Sequence, residues 1–303
     1  MGDLRRSGRP PARIRDRNVP VTGVRARGGD AEGVMRWADF EWAPSGSEGA
    51  APAEFVETFS RSMPARYSVL FDARAIRRHA AVAYHRQSRP AIVELWRALP
   101  DGSAALCVVA EDRPGLLSAI AAALVLHRLD VITALVFSRP TAPEAAEAVD
   151  LVWVRRASST DAAAIGADEA QSVGEVLCAI LSGAISVEQI ASQAPSVPPT
   201  SDASVVVRFD TETKSDETAT LVVEAPDRPA MLLTITLELF QHGTQIVRSL
   251  VRTAEGRAYN RFDLTEFSGA PLGPERMEQI RAAVYAALTL GETQPSAPPS
   301  GPG

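Results

Sequence analysis

Apolar and polar residues alternate along most of this chain in stretches short enough to name. Phe55, Phe59 and Met63 share one helical face. After a break at Pro64-Ala65-Arg66-Tyr67, a second helical face carries Ala75, Ile76, His79 and Val82. Two β-type runs follow, Ala91 to Trp96 and Ala104 to Ala110, with Asp101-Gly102 between them as a hairpin turn. The segment Asp112-Arg113-Pro114-Gly115 then opens a helix whose Leu116, Leu117, Ile120, Leu124 and Leu126 to Leu129 repeat at i, i+3, i+4 spacing. Val131 to Phe137 and Val149 to Val154 are rich in β-branched residues and predict two strands joined by a loop over 139–147. A helix over 168–181 stops at Ser182-Gly183.

The same order then recurs. Strands are predicted over 204–209 and 219–224, a turn at Asp227, and a helix over 230–241 closed by Gly243. Strands over 245–253 and 257–266, joined by Ala254-Glu255-Gly256, precede a last helix that starts at Gly273-Pro274-Glu275 and runs to Leu290. The two turns match residue for residue: Asp112 and Asp227 lie 115 positions apart. At the same offset Ile120 pairs with Ile235, Leu124 with Leu239, His127 with His242 and Val131 with Ile246. Register held this long indicates an internal duplication. The expected fold is α+β: two tandem modules, each an antiparallel sheet with two helices on one face. The expected organisation is a disordered basic leader over 1–52, a helical lead-in over 53–88 and a first module over 89–193. A linker over 194–202, a second module over 203–290 and a disordered tail over 291–303 complete it.

Composition narrows the class of molecule. At 303 residues and 46% hydrophobic, the chain can bury two cores. Its longest apolar run, Gly115 to Leu126, falls short of the ~18 residues a membrane span needs. Residues 1–30 hold eight arginines against Asp3, Asp16 and Asp30, whereas the whole chain is at −6. A basic leader on an acidic body suits an anionic partner, but a solvated leader is the simpler expectation, and nucleic acid is not favoured as a partner. Cys107 and Cys178 fall within predicted elements and read as core residues of a reduced, cytoplasmic protein, with no metal.

The chemistry available sits at the two turns. A loop that leaves a strand and enters a helix presents free backbone N–H groups, which suit a carboxylate or phosphate. Pro114 and Pro229 fit the first helical turn, and Asp112 and Asp227 fit a cap. Gly115 admits a ligand close to the backbone, and Ala230 withdraws that freedom in the second copy. Residue types alone also permit a plain capped turn. His127 and His242, at the ends of matched helices, suit the helix dipole.

These turns and the strand order around them resemble ACT domains, small ligand-sensing modules of βαββαβ type with an acidic-x-Pro-Gly turn. Over residues 53–290 the chain further resembles the C-terminal region of the bifunctional PII uridylyltransferase/uridylyl-removing family, including Ser62-Met63-Pro64-Ala65-Arg66-Tyr67 and Val207-Arg208-Phe209-Asp210. The resemblance implies a regulatory, non-catalytic protein that binds a small amino acid, glutamine first, in control of nitrogen metabolism. It implies ligand contacts at Asp112, Arg113, Pro114, Gly115, Leu116 and Leu117, with Ile132 and Thr133 on the other side. In the second copy the equivalents are Asp227, Arg228, Pro229, Ala230, Met231 and Leu232, with Val247 and Arg248. That family's nucleotidyltransferase motif, a Gly-Ser turn followed by closely spaced aspartates, is missing from the sequence, and none of the four histidines is followed by Asp. No cofactor or catalytic residue is expected. The alternatives are an interaction module whose turns are filled by side chains such as Arg113, Arg228 and Met231, or a truncated relative that keeps the family's name without its activity. A homodimer or a complex with a partner protein is expected in either case.

Overall fold

The computed structural model describes residues 49–143, 145–157, 163–194, 204–210 and 217–289. Most of the expected leader, most of the linker and all of the tail lie outside these residues. Three helices come first, α1 (Ala53–Ser62), α2 (Ala65–Leu70) and α3 (Ala73–Arg86). Asp72 caps α3 by accepting from the amides of Arg74 and Ala75.

The first half continues with β1 (Ala91–Ala98), β2 (Ala104–Glu111), α4 (Leu116–Leu126), β3 (Leu129–Leu135), β4 (Ser138–Ala142), β5 (Ala145–Arg156) and α5 (Ala167–Leu181). A short α6 (Val187–Gln193), which periodicity did not predict, precedes the second half. That half consists of β6 (Val206–Asp210), β7 (Ala219–Pro226), α7 (Met231–Gln241), β8 (Thr244–Ala254), β9 (Arg257–Glu266) and α8 (Pro274–Thr289). The described residues thus form a mixed α+β fold of eight helices and nine strands.

Two separate sheets were expected, and the strands instead form one antiparallel sheet in the order β1-β2-β5-β3-β8-β9-β7-β6, with β4 paired to β5. Each half contributes four strands in matching order, and the halves meet where β3 pairs with β8: Thr133 faces Arg252, Ala134 faces Val251 and Leu135 faces Leu250. Thr133 Oγ1 adds a hydrogen bond to the Val251 carbonyl at 2.9 Å. The order within a half is strand, strand, helix, strand, strand, helix, so an N-terminal strand supplies the edge that βαββαβ order would take from the C-terminus. The loop expected over 139–147 contains β4, which turns back on β5.

A second difference concerns the layers. Helices were expected on one face only. In the first half α4 and α5 cover one face, while α1, α2 and α3 cover the other through Phe59, Tyr67, Phe71 and Val82, packed on Trp96, Cys107, Leu151 and Trp153. Burial on both faces explains why β2 and β5 are apolar almost without alternation. On β8, burial alternates and Leu250 is half exposed. One buried ion cluster fastens the lead-in: Glu147 takes Arg86 Nε at 2.8 Å and Arg139 Nη2 at 2.6 Å, and Arg139 Nη1 reaches Ser62 Oγ at 3.0 Å.

Candidate functional site

Where the halves join, two cavities are related by the duplication. Cavity I, about 470 Å³ including its open mouth, is formed by Asp112, Gly115, Leu116 and Leu117 of the first half facing Phe240 and Thr244 to Val247 of the second. Cavity II, about 440 Å³, is formed by Asp227, Arg228, Ala230, Met231 and Leu232 of the second half facing Val125 and Leu129 to Val131 of the first. Of this, the space that a water molecule can occupy is about 30 Å³ in each, room for only a water or two with the side chains as they stand.

Local geometry explains the turns. Gly115, with φ 80° and ψ 0°, occupies the left-handed region at the N-cap of α4. Ala230 holds the same conformation at φ 59° and ψ 9°, so the second copy keeps the shape at the cost of a strained alanine. The Leu116 amide donates to the Arg113 carbonyl at 3.2 Å, which removes one of the expected ligand donors. Among the described residues, no backbone carbonyl accepts from the amides of Gly115, Leu117 or Ser118. These are the orphan donors of a helix start.

Polar side chains distinguish the cavities. At the floor of cavity I is Asp150, 1% exposed, on β5 between Ala148 and Val152, which face the helices. One of its oxygens accepts from the Phe137 amide at 3.4 Å. Burial pushes this carboxyl well above the usual range and the nearby charge of Asp112 adds to the shift, while the Phe137 N–H opposes it. Gln245 Oε1, also lining cavity I, is buried without a partner. The floor of cavity II carries Asn260, which opposes Val223 as Asp150 opposes Val108. Its Nδ2 is buried and unpartnered. At the side of cavity II, Asp130 lies beside the Ala230 turn. Burial raises the Asp130 carboxyl, Arg155 opposes this and Asp227 reinforces it. Arg155 Nη2 in turn lies 2.5 Å from Asp227 Oδ2.

The expected contact residues therefore divide. The two turns line the cavities, but each faces the other half rather than its own. Val247 lines cavity I with the Gly115 turn instead of lying beside the Ala230 turn. Ile132 packs toward the lead-in helices, Thr133 is bonded to Val251, and Arg248 pairs with Asp263 at 3.1 Å, so none of the three lines a cavity. Arg113 Nη2 donates to the Leu181 carbonyl at the end of α5. Asp150, Asn260, Asp130, Gln245 and Phe240 escaped the sequence reading. A charged residue inside Val149-Asp150-Leu151-Val152-Trp153-Val154 was the available signal. Its match to Asn260 breaks the 115-residue offset because the hairpin of the second half is shorter.

No family model matches the chain. It is 26% identical over 266 residues to the bifunctional uridylyltransferase/uridylyl-removing enzyme of Gluconobacter oxydans (strain 621H), an alignment that covers 82% of this chain. The chain spans only 26% of that enzyme's length. Among solved structures, aspartate kinase from Synechocystis is 13% identical with a TM-score of 0.32, covering 60% of this chain and 26% of that one, a likeness too slight to bear on fold or function. Among the described residues no helix is long and apolar enough to cross a membrane, and no group of three or more His, Cys, Asp or Glu side chains is placed to hold a metal ion.

Proposed function

We propose that the two halves are tandem ACT modules and that the chain is a non-catalytic, cytoplasmic regulatory protein that binds a small amino acid, glutamine foremost, where the halves cross. The observation that carries this reading is the composition of the cavities: a helix-start turn with free amides from one half closes against a strand start of the other. Free amides suit the carboxylate of a zwitterion and a buried acid suits its ammonium. Distant similarity to a uridylyltransferase/uridylyl-removing enzyme supports a role in nitrogen control. Binding across the junction would tie ligand occupancy to how the halves, and any dimer or protein partner, are arranged.

Isothermal titration of the full chain with each of the twenty amino acids tests the reading. Saturable heat with one or a few of them is expected; a folded sample that gives none removes it. The rival reading, a pure interaction module, draws on one observation, the ring of Phe240 packed on Gly115. Under that reading the ring stays in place and every titration is flat.

A further inference from the structure

Resting on the amino-acid reading, we infer that the ring of Phe240 is the gate of cavity I: an amino acid reaches the Gly115 turn only after that ring swings aside, so Phe240 sets how fast and how tightly the ligand binds. As it stands the site is shut. The water-accessible space of about 30 Å³ holds a water or two, and an amino acid is several times larger. The obstruction is one side chain. Of the atoms that a Cβ built on Gly115 would meet, the three nearest all belong to the Phe240 ring, at 2.7, 2.8 and 3.2 Å.

Among the walls of cavity I this one is placed to move. Leu116, Leu117, Val136, Phe137 and Thr236 are buried in the core, whereas Phe240 is only partly buried and stands at the penultimate residue of α7. Its ring lies 5.5 Å from that of Phe267, which follows β9 and is 46% exposed. A swing toward Phe267 uncovers Gly115, keeps one ring against the other and gives up only part of the burial of Phe240. The backbone need not follow, because the Phe240 carbonyl accepts from the Gly243 amide at 2.9 Å where α7 ends. Ring rotation alone opens the way to the free amides of the turn.

A gate of this kind lowers the apparent affinity by the fraction of time it stands open. Removing it should therefore help the ligand. Titrations of the full chain with L-glutamine, read by calorimetry for affinity and by NMR line shapes for the association rate, compare wild type with Phe240→Leu and Phe240→Ala. Phe240→Ala should associate at least tenfold faster and bind at least threefold more tightly, with Phe240→Leu between the two. Should neither variant fold, the wild-type chain gives the answer: contacts between the Phe240 ring and the Gly115 α-protons, seen as NOEs in the free chain, should vanish at saturating glutamine. Association no faster in either variant, or NOEs that persist at saturation, would overturn the gate while binding by wild type leaves the amino-acid reading intact. Binding by Phe240→Ala but not by wild type would make the ring a fixed plug and overturn the gate in favour of the interaction module. Flat titrations of wild type and both variants with all twenty amino acids would remove the amino-acid reading itself, and the gate with it.

Discussion

The ring of Phe240 rests against Gly115: a Cβ built at position 115 would lie 2.7 Å from Phe240 Cδ2 and 2.8 Å from Cε2. The two residues belong to different halves of the duplication, and in the other cavity their counterparts are Val125 and Ala230. A small side chain across the junction accompanies the alanine, and a large one accompanies the glycine.

Gly115→Ala should therefore destabilise the chain, with about 1 kcal/mol from the left-handed backbone and about 1–3 kcal/mol from overpacking. Phe240→Val in the same chain should recover the packing part and leave the backbone part. Urea unfolding of the two single variants and the double variant measures the coupling.

Ala230→Gly should act in the opposite direction. Alanine at φ 59° is strained, and glycine relieves this while adding entropy to the unfolded chain. The expected net is a gain of less than about 1 kcal/mol, because the two effects oppose each other. Loss of stability on this substitution would mean that the methyl group packs more than it strains.

The pH dependence follows from Asp150 and Asp130. Both carboxyls are raised in the folded chain, mainly by burial, above the ~3.9 of an unfolded aspartate. A raised acid stabilises the fold most below the unfolded value, and that contribution is lost as pH rises through the folded one. Thermal melts should thus show these two groups lowering stability between pH 4 and neutrality. Asp150→Asn should flatten part of that slope and gain on wild type as pH rises, because an amide at this buried place has no ionisation to suppress. A variant less stable at pH 7 than wild type would show that the carboxylate has a partner.

The buried ion cluster at Glu147 gives a fourth prediction. Glu147 is 3% exposed and Arg139 is 6% exposed, so Glu147→Ala strands a buried guanidinium. The cost should be about 3–5 kcal/mol. Because Arg86 belongs to α3 and Ser62 to α1, the loss should loosen the lead-in helices first, which hydrogen exchange at Phe59 and Val82 would detect.

Much of the fold was legible because it is local. The hairpin at Asp101-Gly102, the Asp112 and Asp227 turns and the helices after them are written in adjacent residues, and the 115-residue offset exposed the duplication. What the sequence left hidden depends on contacts between distant segments. Nothing near Ala134 or Val251 announces that β3 and β8 pair into one sheet. The unbroken apolar run Ala104 to Ala110 did carry the information that both faces of β2 are covered, but not that α1 to α3 supply the second cover. At the cavities the turns were readable, whereas the residues that face them come from the other half, so Ile132, Thr133 and Arg248 stood in for Thr244, Gln245 and Phe240.

The most direct test follows backbone amides by NMR while L-glutamine is added to the full chain. Saturable shifts are predicted at Gly115, Leu117 and Ser118 together with Thr244 to Val247 across the junction. Shifts confined to residues away from both turns, or none at saturating glutamine and with every other amino acid, would contradict the account.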